Sequence, residues 1–195
     1  KELSKKELLE RSGYTSAVLE GLLKRGILES YEKEVGRLQV SVCRLQEPNP
    51  LSPAQEKAYG EIHEAFKTKE VCLLHGVTSS GKTEIYVRLI HEVLRLGRQV
   101  LYMLPEIAIT TQITERLAKL FGDKLLVYHS KFSDNERVEV WNKLLHNDEP
   151  MLVLGVRSSL FLPFKDLGLI IVDEEHENTY KQQDPAPRYH ARNAA

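Results

Sequence analysis

The sequence has few of the features that mark secreted, membrane or metal-rich proteins. Its 195 residues include two cysteines, Cys43 and Cys72, which are too few for a zinc cluster. Both lie in apolar runs, so we expect small core residues in a reducing compartment. No apolar stretch approaches the roughly 20 residues of a membrane span, and no signal peptide, repeat or low-complexity tract is present. These absences exclude a disulfide scaffold, a membrane protein and a repeat array.

The charge balance excludes a further class. The formal net charge of −1 lacks the global basic excess of a protein that coats nucleic acid. Any contact with nucleic acid must therefore come from local basic patches. The length allows one sizeable core and a small second module. Because the chain begins at Lys1 rather than Met, we expect a fragment of something larger.

The octapeptide at residues 76–83, GVTSSGKT, has the spacing of a phosphate-binding P-loop. An apolar run at 71–75 precedes it and predicts a buried strand, while a helical pattern follows it. In such a loop, backbone N–H groups bind polyphosphate, Lys82 reaches the β- and γ-phosphates, and Thr83 offers a hydroxyl to Mg²⁺. The pattern therefore predicts a nucleoside triphosphate site. The loop residues predicted to contact the nucleotide are Gly76, Thr78, Ser79, Ser80, Gly81, Lys82 and Thr83.

An acidic motif follows the apolar strand predicted at residues 169–172. Asp173 can hold Mg²⁺ together with Thr83, and Glu174 is placed to orient or deprotonate an attacking water. His176 completes an Asp-Glu-x-His motif of the form found in many helicases. The predicted catalytic residues are Lys82, Asp173, Glu174 and His176.

Gln55 has two interpretations. It stands at the third helical position after Ser52 and Pro53, where its side chain can complete a capping box. A glutamine upstream of a P-loop also commonly recognises the adenine edge in helicases. We expect adenine recognition, although the helix start alone explains the residue.

Helical and strand patterns alternate after residue 50. Nearly all strand residues are apolar, which predicts a parallel sheet covered by helices on both faces. The expected fold is α/β, a RecA-like P-loop NTPase lobe. Its predicted helices cover residues 52–66, 82–96, 110–121 and one that starts at 133, and its predicted strands cover 71–75, 99–103, 125–128, 151–154 and 169–172.

The first 45 residues form a separate pattern of two short helices and a hairpin. We predict a partial winged-helix domain at 1–45, a linker at 46–51 and the nucleotide-binding lobe at 52–195. The winged helix either docks on DNA or serves as a packing or protein-contact module. Nearby glutamates dilute its positive charge, which weakens the case for DNA contact. Its candidate DNA contacts are Lys24, Arg25, Lys33 and Arg37.

Taken together, the motifs resemble the PriA family of bacterial replication-restart helicases, which belong to superfamily 2. The matching stretches are 76–84, 104–107, 129–130, 136–137 with Trp141, 155–161, 173–176, 180–183 and 188–192. The resemblance implies an ATP-dependent 3′-to-5′ DNA helicase that restarts stalled replication forks by primosome assembly, with ATP and Mg²⁺ as cofactors. It implies single-stranded and forked DNA, replication-restart proteins and single-stranded-DNA-binding protein as partners, and no membrane. The implied location is the bacterial cytoplasm at the nucleoid.

The same resemblance implies that residues 180–192 form the family's aromatic-rich loop, which contacts DNA. A flexible basic tail is the alternative. The implied DNA-binding residues are Arg157, Ser158, Tyr180, Lys181, Arg188, Tyr189, His190 and Arg192.

The chain departs from the family pattern in several places. Position 79 is Ser where Gly is usual, and residues 184–187 lack a tryptophan often found there. The family's zinc region has no counterpart in this chain, nor does the second lobe with its arginine finger. We therefore expect nucleotide binding with feeble hydrolysis. Two other classes fit the P-loop, namely a small-molecule kinase and a winged-helix regulator with a vestigial nucleotide site.

Overall fold

A computed structural model describes the protein at residues 16–25, 27, 45–77, 80–130 and 132–195. The chain divides into two compact units, Lys1–Arg37 and Leu38–Ala195. In the first unit the structure describes helix α1, Ser16–Lys24, with Leu19 buried. The second of the two short helices predicted within residues 1–45, expected at 16–25, is thereby confirmed. The first helix, the hairpin, Lys33, Arg37 and Cys43 lie outside the described residues.

The second unit contains the predicted alternation of helices and strands. Its helices are α2 (Pro53–Phe66), α3 (Lys82–Arg95), α4 (Thr111–Phe121), α5 (Asp134–His146) and α6 (Ala191–Ala194). Its strands are β1 (Gln99–Met103), β2 (Leu125–Tyr128), β3 (Leu152–Gly155) and β4 (Leu167–Val172). Side-chain caps begin four of these described helices: Ser52 with Gln55, Thr110, Ser133 with Glu136, and His190.

The four described strands form one parallel sheet in the order β2-β3-β1-β4. Met103, at the end of β1, is paired with Gly155 of β3 and Val172 of β4. The carboxyl ends of these three strands therefore lie at one edge of the sheet, where ligands bind in open α/β folds. The predicted α/β fold is confirmed.

Alternate residues of β1 enter two different cores, as the two-residue period of a strand requires. Val100 and Tyr102 pack in the core that includes α3 and α4. Leu101 and Met103 pack on the opposite face, with α5. The sheet is thus covered on both sides, which explains its apolar strands. Among the described residues, we find no helix with the length and apolarity needed to cross a bilayer.

The predicted strand at residues 71–75 is wrong. Val71 is 82 % exposed and Leu73 is 72 % exposed, while Cys72 and Leu74 are half-buried against the helices. A strand needs a hydrogen-bonded neighbour. This segment does not pair with β4; instead, both line a cleft of about 400 Å³. Apolar composition alone therefore did not make a strand. Cys72 is a free, half-buried cysteine rather than a core residue.

Candidate nucleotide-binding site and neighbouring cleft

Gly81 caps the amino-terminal end of α3 in a left-handed conformation, with φ of +80°. Glycine adopts this conformation without steric cost. The amide nitrogen of Gln55 donates to the carbonyl of Gly81 at 3.2 Å, and a Cβ at Gly81 would collide with that amide. Gln55 also accepts from the Ser52 N–H, which completes the capping box. The structure thus places Gln55 both in the cap of α2 and against the P-loop.

Lys82 is the first residue of α3 and bends back over the loop. Its ammonium group donates to the Gly76 carbonyl at 2.8 Å and lies 3.4 Å from the Val77 carbonyl. Free backbone N–H groups at a helix start, together with a lysine, form an anion-binding arrangement. Thr83 follows in the first turn and is half-buried. Thr78 and Ser79 lie outside the described residues; Ser80 is exposed.

Asp173 emerges from the carboxyl end of β4 and has both carboxylate oxygens hydrogen-bonded. Its Oδ1 accepts from the Glu174 N–H at 3.0 Å, and its Oδ2 accepts from the Tyr102 hydroxyl at 2.9 Å. Its own N–H donates to the Met103 carbonyl at 3.0 Å, which extends the contact between β4 and β1. The aspartate is therefore held by backbone and side-chain contacts.

Glu174 has a left-handed backbone, with φ of +49°. A non-glycine residue in this region stores strain of about 1–3 kcal/mol, and such residues concentrate at functional sites. The turn places the His176 ring nitrogen 3.7 Å from a Glu174 carboxylate oxygen. Glu175 instead forms an ion pair with Arg192.

The P-loop and the acidic motif share one cleft of about 400 Å³. Its lining includes Gly76, Val77, Lys82, Asp173, Glu174, Glu175 and His176. The carboxylate of Asp173 and the hydroxyl of Thr83 are oxygen donors of the kind that Mg²⁺ takes, usually beside phosphate oxygens. Among the described residues, no group of three or more His, Cys, Asp or Glu side chains could hold a metal ion.

Three buried tyrosines lie around Asp173. The sequence predicted a functional role for Tyr180 but not for Tyr86 or Tyr102. Burial first, and then the negative charge of Asp173, raise the pKa of Tyr86, Tyr102 and Tyr180 above the ordinary value. All three hydroxyls therefore stay protonated at neutral pH. The sequence does carry one indication of this contact. A tyrosine such as Tyr102 in an otherwise apolar, buried strand needs a hydrogen-bond partner for its hydroxyl.

A second cleft, of about 270 Å³, lies beyond the ends of β1 and β3. Its lining includes Pro105 and Glu106 after β1, together with Arg157 and Ser158, which the resemblance assigned to DNA. Ser158 is exposed. This cleft is separate in its lining from the P-loop cleft.

Arg157 is engaged within the protein. Its Nη1 donates to the carbonyls of Thr179 at 3.3 Å and Lys181 at 2.9 Å. Its guanidinium carbon lies 5.9 Å from the centre of the Tyr189 ring. The buried Nε has no hydrogen-bond partner among the described residues. Arg157 therefore ties the loop after β3 to the start of the loop at 180–192.

The segment 180–192 is a closed loop. Lys181 and His190 form an antiparallel bridge, and the Gln182 N–H donates to the Tyr189 carbonyl at 2.8 Å. The Gln182 side chain donates to the Pro185 carbonyl at 2.9 Å. These bonds favour an ordered loop over a basic tail. Its exposed cations are Lys181, Arg188 and Arg192, and its half-buried rings are Tyr189 and His190.

The prediction that Tyr180 contacts DNA does not fit its position. The residue is 1 % exposed, and its hydroxyl lies 3.0 Å from the Met103 carbonyl and 2.7 Å from the Asp173 carbonyl. A base cannot reach a ring packed in the core beneath the sheet edge. Tyr180 instead joins the loop to the ends of β1 and β4.

Comparisons with known proteins identify two matching families. Residues 52–194 match the family model of DEAD/DEAH box helicases. Residues 1–35 match the model of the winged helix domain of PriA helicase from Bacteroidota.

Individual relatives agree with this assignment. The chain is 42 % identical to the replication restart protein PriA of Bacillus subtilis over 193 residues, which are 97 % of this chain and 24 % of that protein. It is 40 % identical to the Synechocystis protein of that name over 97 % of this chain and 23 % of the relative. The Helicobacter pylori protein is 46 % identical over 74 % of this chain and 22 % of the relative. The chain thus spans about a quarter of the length of these relatives.

A solved structure shows the same fold at low sequence identity. It is described as the ATP-dependent Type ISP restriction-modification enzyme LlaBIII bound to DNA, with a TM-score of 0.53 and 19 % identity. The likeness covers 76 % of this chain and 12 % of that one. These matches confirm the resemblance to PriA drawn from the motifs. Because the helicase model spans most of its length, the chain belongs to the DEAD/DEAH box helicase family.

Proposed function

We propose that this chain is the nucleotide-binding part of an ATP-dependent 3′-to-5′ DNA helicase that restarts stalled replication forks. The observation that carries the proposal is the shared cleft, in which Lys82 and the acidic motif at Asp173 line one space. The match to replication restart relatives supports the biological role. We assign residues 1–45 to a partial winged-helix domain, 46–51 to a linker and 52–195 to the helicase lobe.

In this proposal the P-loop and Lys82 bind the phosphates of ATP, and Gln55 contacts the adenine. Thr83 and Asp173 would hold Mg²⁺, which supplies charge neutralisation on the phosphates when bound. Glu174 accepts a proton from, or orients, the attacking water. The remaining proposed residues are the catalytic His176 and the loop residues Gly76, Thr78, Ser79, Ser80 and Gly81.

The second cleft and the closed loop are the proposed DNA surface. Exposed cations suit phosphates, and a partly exposed aromatic ring suits a base. The proposed contacts are Arg157, Ser158, Lys181, Arg188, Tyr189, His190 and Arg192. Arg157 would reach a phosphate by exchanging its contacts with the Thr179 and Lys181 carbonyls.

The proposal extends to the whole protein. Its partners would be single-stranded and forked DNA, replication-restart proteins and single-stranded-DNA-binding protein, in the bacterial cytoplasm at the nucleoid. Zinc would be bound by the family's cysteine-rich region rather than by these residues. The family match does not favour a small-molecule kinase or a regulator with a vestigial site.

The decisive experiment measures ATP hydrolysis by the full-length protein titrated with single-stranded and forked DNA. We expect DNA to stimulate the wild type, and Glu174→Gln to reduce the stimulated rate by about 10²-fold or more because the water loses its base. Glu177→Gln, in the same turn, is the matched control and should retain the rate. Hydrolysis that does not depend on DNA would contradict the helicase proposal.

A further inference from the structure

Tyr102 occupies a central position between the sheet and the acidic motif. It lies on β1, is 1 % exposed, and is paired in register with Ile171 of β4. Its hydroxyl donates to Oδ2 of Asp173 at 2.9 Å. The two residues are 71 positions apart in the chain, and the adjacency of β1 and β4 brings them together.

The hydrogen bond to Tyr102 completes the orientation of the Asp173 carboxylate. Oδ1 already accepts from the Glu174 N–H at 3.0 Å. With a donor on each oxygen, rotation of the carboxylate would break at least one of these two bonds. Each oxygen has two acceptor sites, and these two bonds use one on each.

The ring that carries this hydroxyl is itself held in place. It packs edge-to-face on Tyr86, with ring centres 5.7 Å apart and an interplanar angle of 66°. A buried, fixed donor differs from a surface contact, because water cannot replace it at the same position.

We propose that Tyr102 is a positioning residue that holds the Asp173 carboxylate in the rotamer that receives Mg²⁺. This inference rests on the proposed function, in which Asp173 is a magnesium ligand. Tyr102 acts through Asp173 and touches neither nucleotide nor metal. Groups that orient a metal ligand from behind commonly change metal affinity about 10- to 100-fold when they are removed.

The test uses the full-length protein without DNA and follows binding of a fluorescent ATP analogue as Mg²⁺ is titrated. We expect Tyr102→Phe to raise the Mg²⁺ concentration for half-maximal tightening about 10-fold or more. Nucleotide affinity without Mg²⁺ should be unchanged. The matched control is Tyr59→Phe, since Tyr59 on α2 also donates its hydroxyl to a carboxylate, that of Glu92 on α3.

The outcomes separate the inference from the proposed function. Should wild-type binding ignore Mg²⁺, the proposed function fails. If Mg²⁺ tightens nucleotide binding at the same concentration in the wild type and in Tyr102→Phe, the inference fails while the proposed function stands. Equal losses with and without Mg²⁺ would assign Tyr102 a general structural role and also overturn the inference. In an Asp173→Asn background, Tyr102→Phe should shift the requirement by less than about twofold, because the effect passes through Asp173.

Discussion

Gly81 and Gly97 have nearly the same left-handed backbone, with φ of +80° and +82°, but different surroundings. At Gly81 a Cβ would meet the Gln55 amide, whereas at Gly97 nothing lies within 4 Å. Replacing either glycine by alanine therefore costs about 1–2 kcal/mol in backbone strain. The steric cost belongs to Gly81 alone.

This difference predicts the behaviour of two alanine variants. Gly97→Ala should lower the free energy of unfolding by about 1–2 kcal/mol without changing nucleotide affinity. Gly81→Ala should lower both the free energy of unfolding and the nucleotide affinity, because the P-loop and Gln55 must move apart. Urea denaturation and nucleotide titration measure the two effects. Wild-type nucleotide affinity in Gly81→Ala would contradict this account.

Gly60→Ala, inside α2 with no atom near its added Cβ, should stabilise the protein by about 0.5–1 kcal/mol.

Residue type alone could not separate Tyr180 from Tyr189. Both are tyrosines in one short basic segment, and each could stack on a base. Tyr180 is buried beneath the strand ends, while Tyr189 lies at the surface against Arg157 and Phe161. The packing of the loop on the sheet made the difference.

Helix α5 offers two adjacent leucines with opposite environments. Leu144 is fully buried in the core below the sheet, and Leu145 is 41 % exposed. Both are leucines in the last turns of one helix, so helix propensity changes equally when either becomes alanine.

The pair predicts a large difference in stability. Leu144→Ala should lower the free energy of unfolding by about 2–5 kcal/mol, because it leaves a cavity between α5 and the sheet. Leu145→Ala should change it by about 0.5 kcal/mol or less. Equilibrium urea denaturation of both variants measures the difference. Equal effects would mean that α5 does not pack on the sheet through Leu144.

Strands β1 and β2 begin and end where their sequence patterns predict, whereas the run at 71–75 did not become a strand. β1 is hydrogen-bonded to β3 and β4 and buried throughout. The run at 71–75 has comparable apolar content but lies across a cleft from β4. Hydrophobicity predicts which residues avoid water, and only the sheet provides hydrogen-bonded neighbours.

At the scale of the whole molecule, the chain spans about a quarter of its relatives' length. The resemblance implies a second lobe with an arginine finger, which accelerates related phosphoryl transfers by about 10³–10⁵-fold. We therefore expect residues 1–195 to bind nucleotide but to hydrolyse it far more slowly than the full-length protein. Steady-state ATPase assays of both proteins with saturating single-stranded DNA test this. Comparable rates would show that this lobe suffices.

The amino-acid sequence by itself determined the α/β class, most helix and strand limits, and the two motifs of the proposed nucleotide site. These depend on local spacing: caps at Ser52 and Ser133, and glycine and lysine at fixed offsets in the P-loop. Only the tertiary structure decided that Tyr102 holds Asp173, that Arg157 binds loop carbonyls, and that Tyr180 is buried. Those contacts join residues up to 77 positions apart, through strand order and register. No local pattern encodes which distant side chains a sheet brings together.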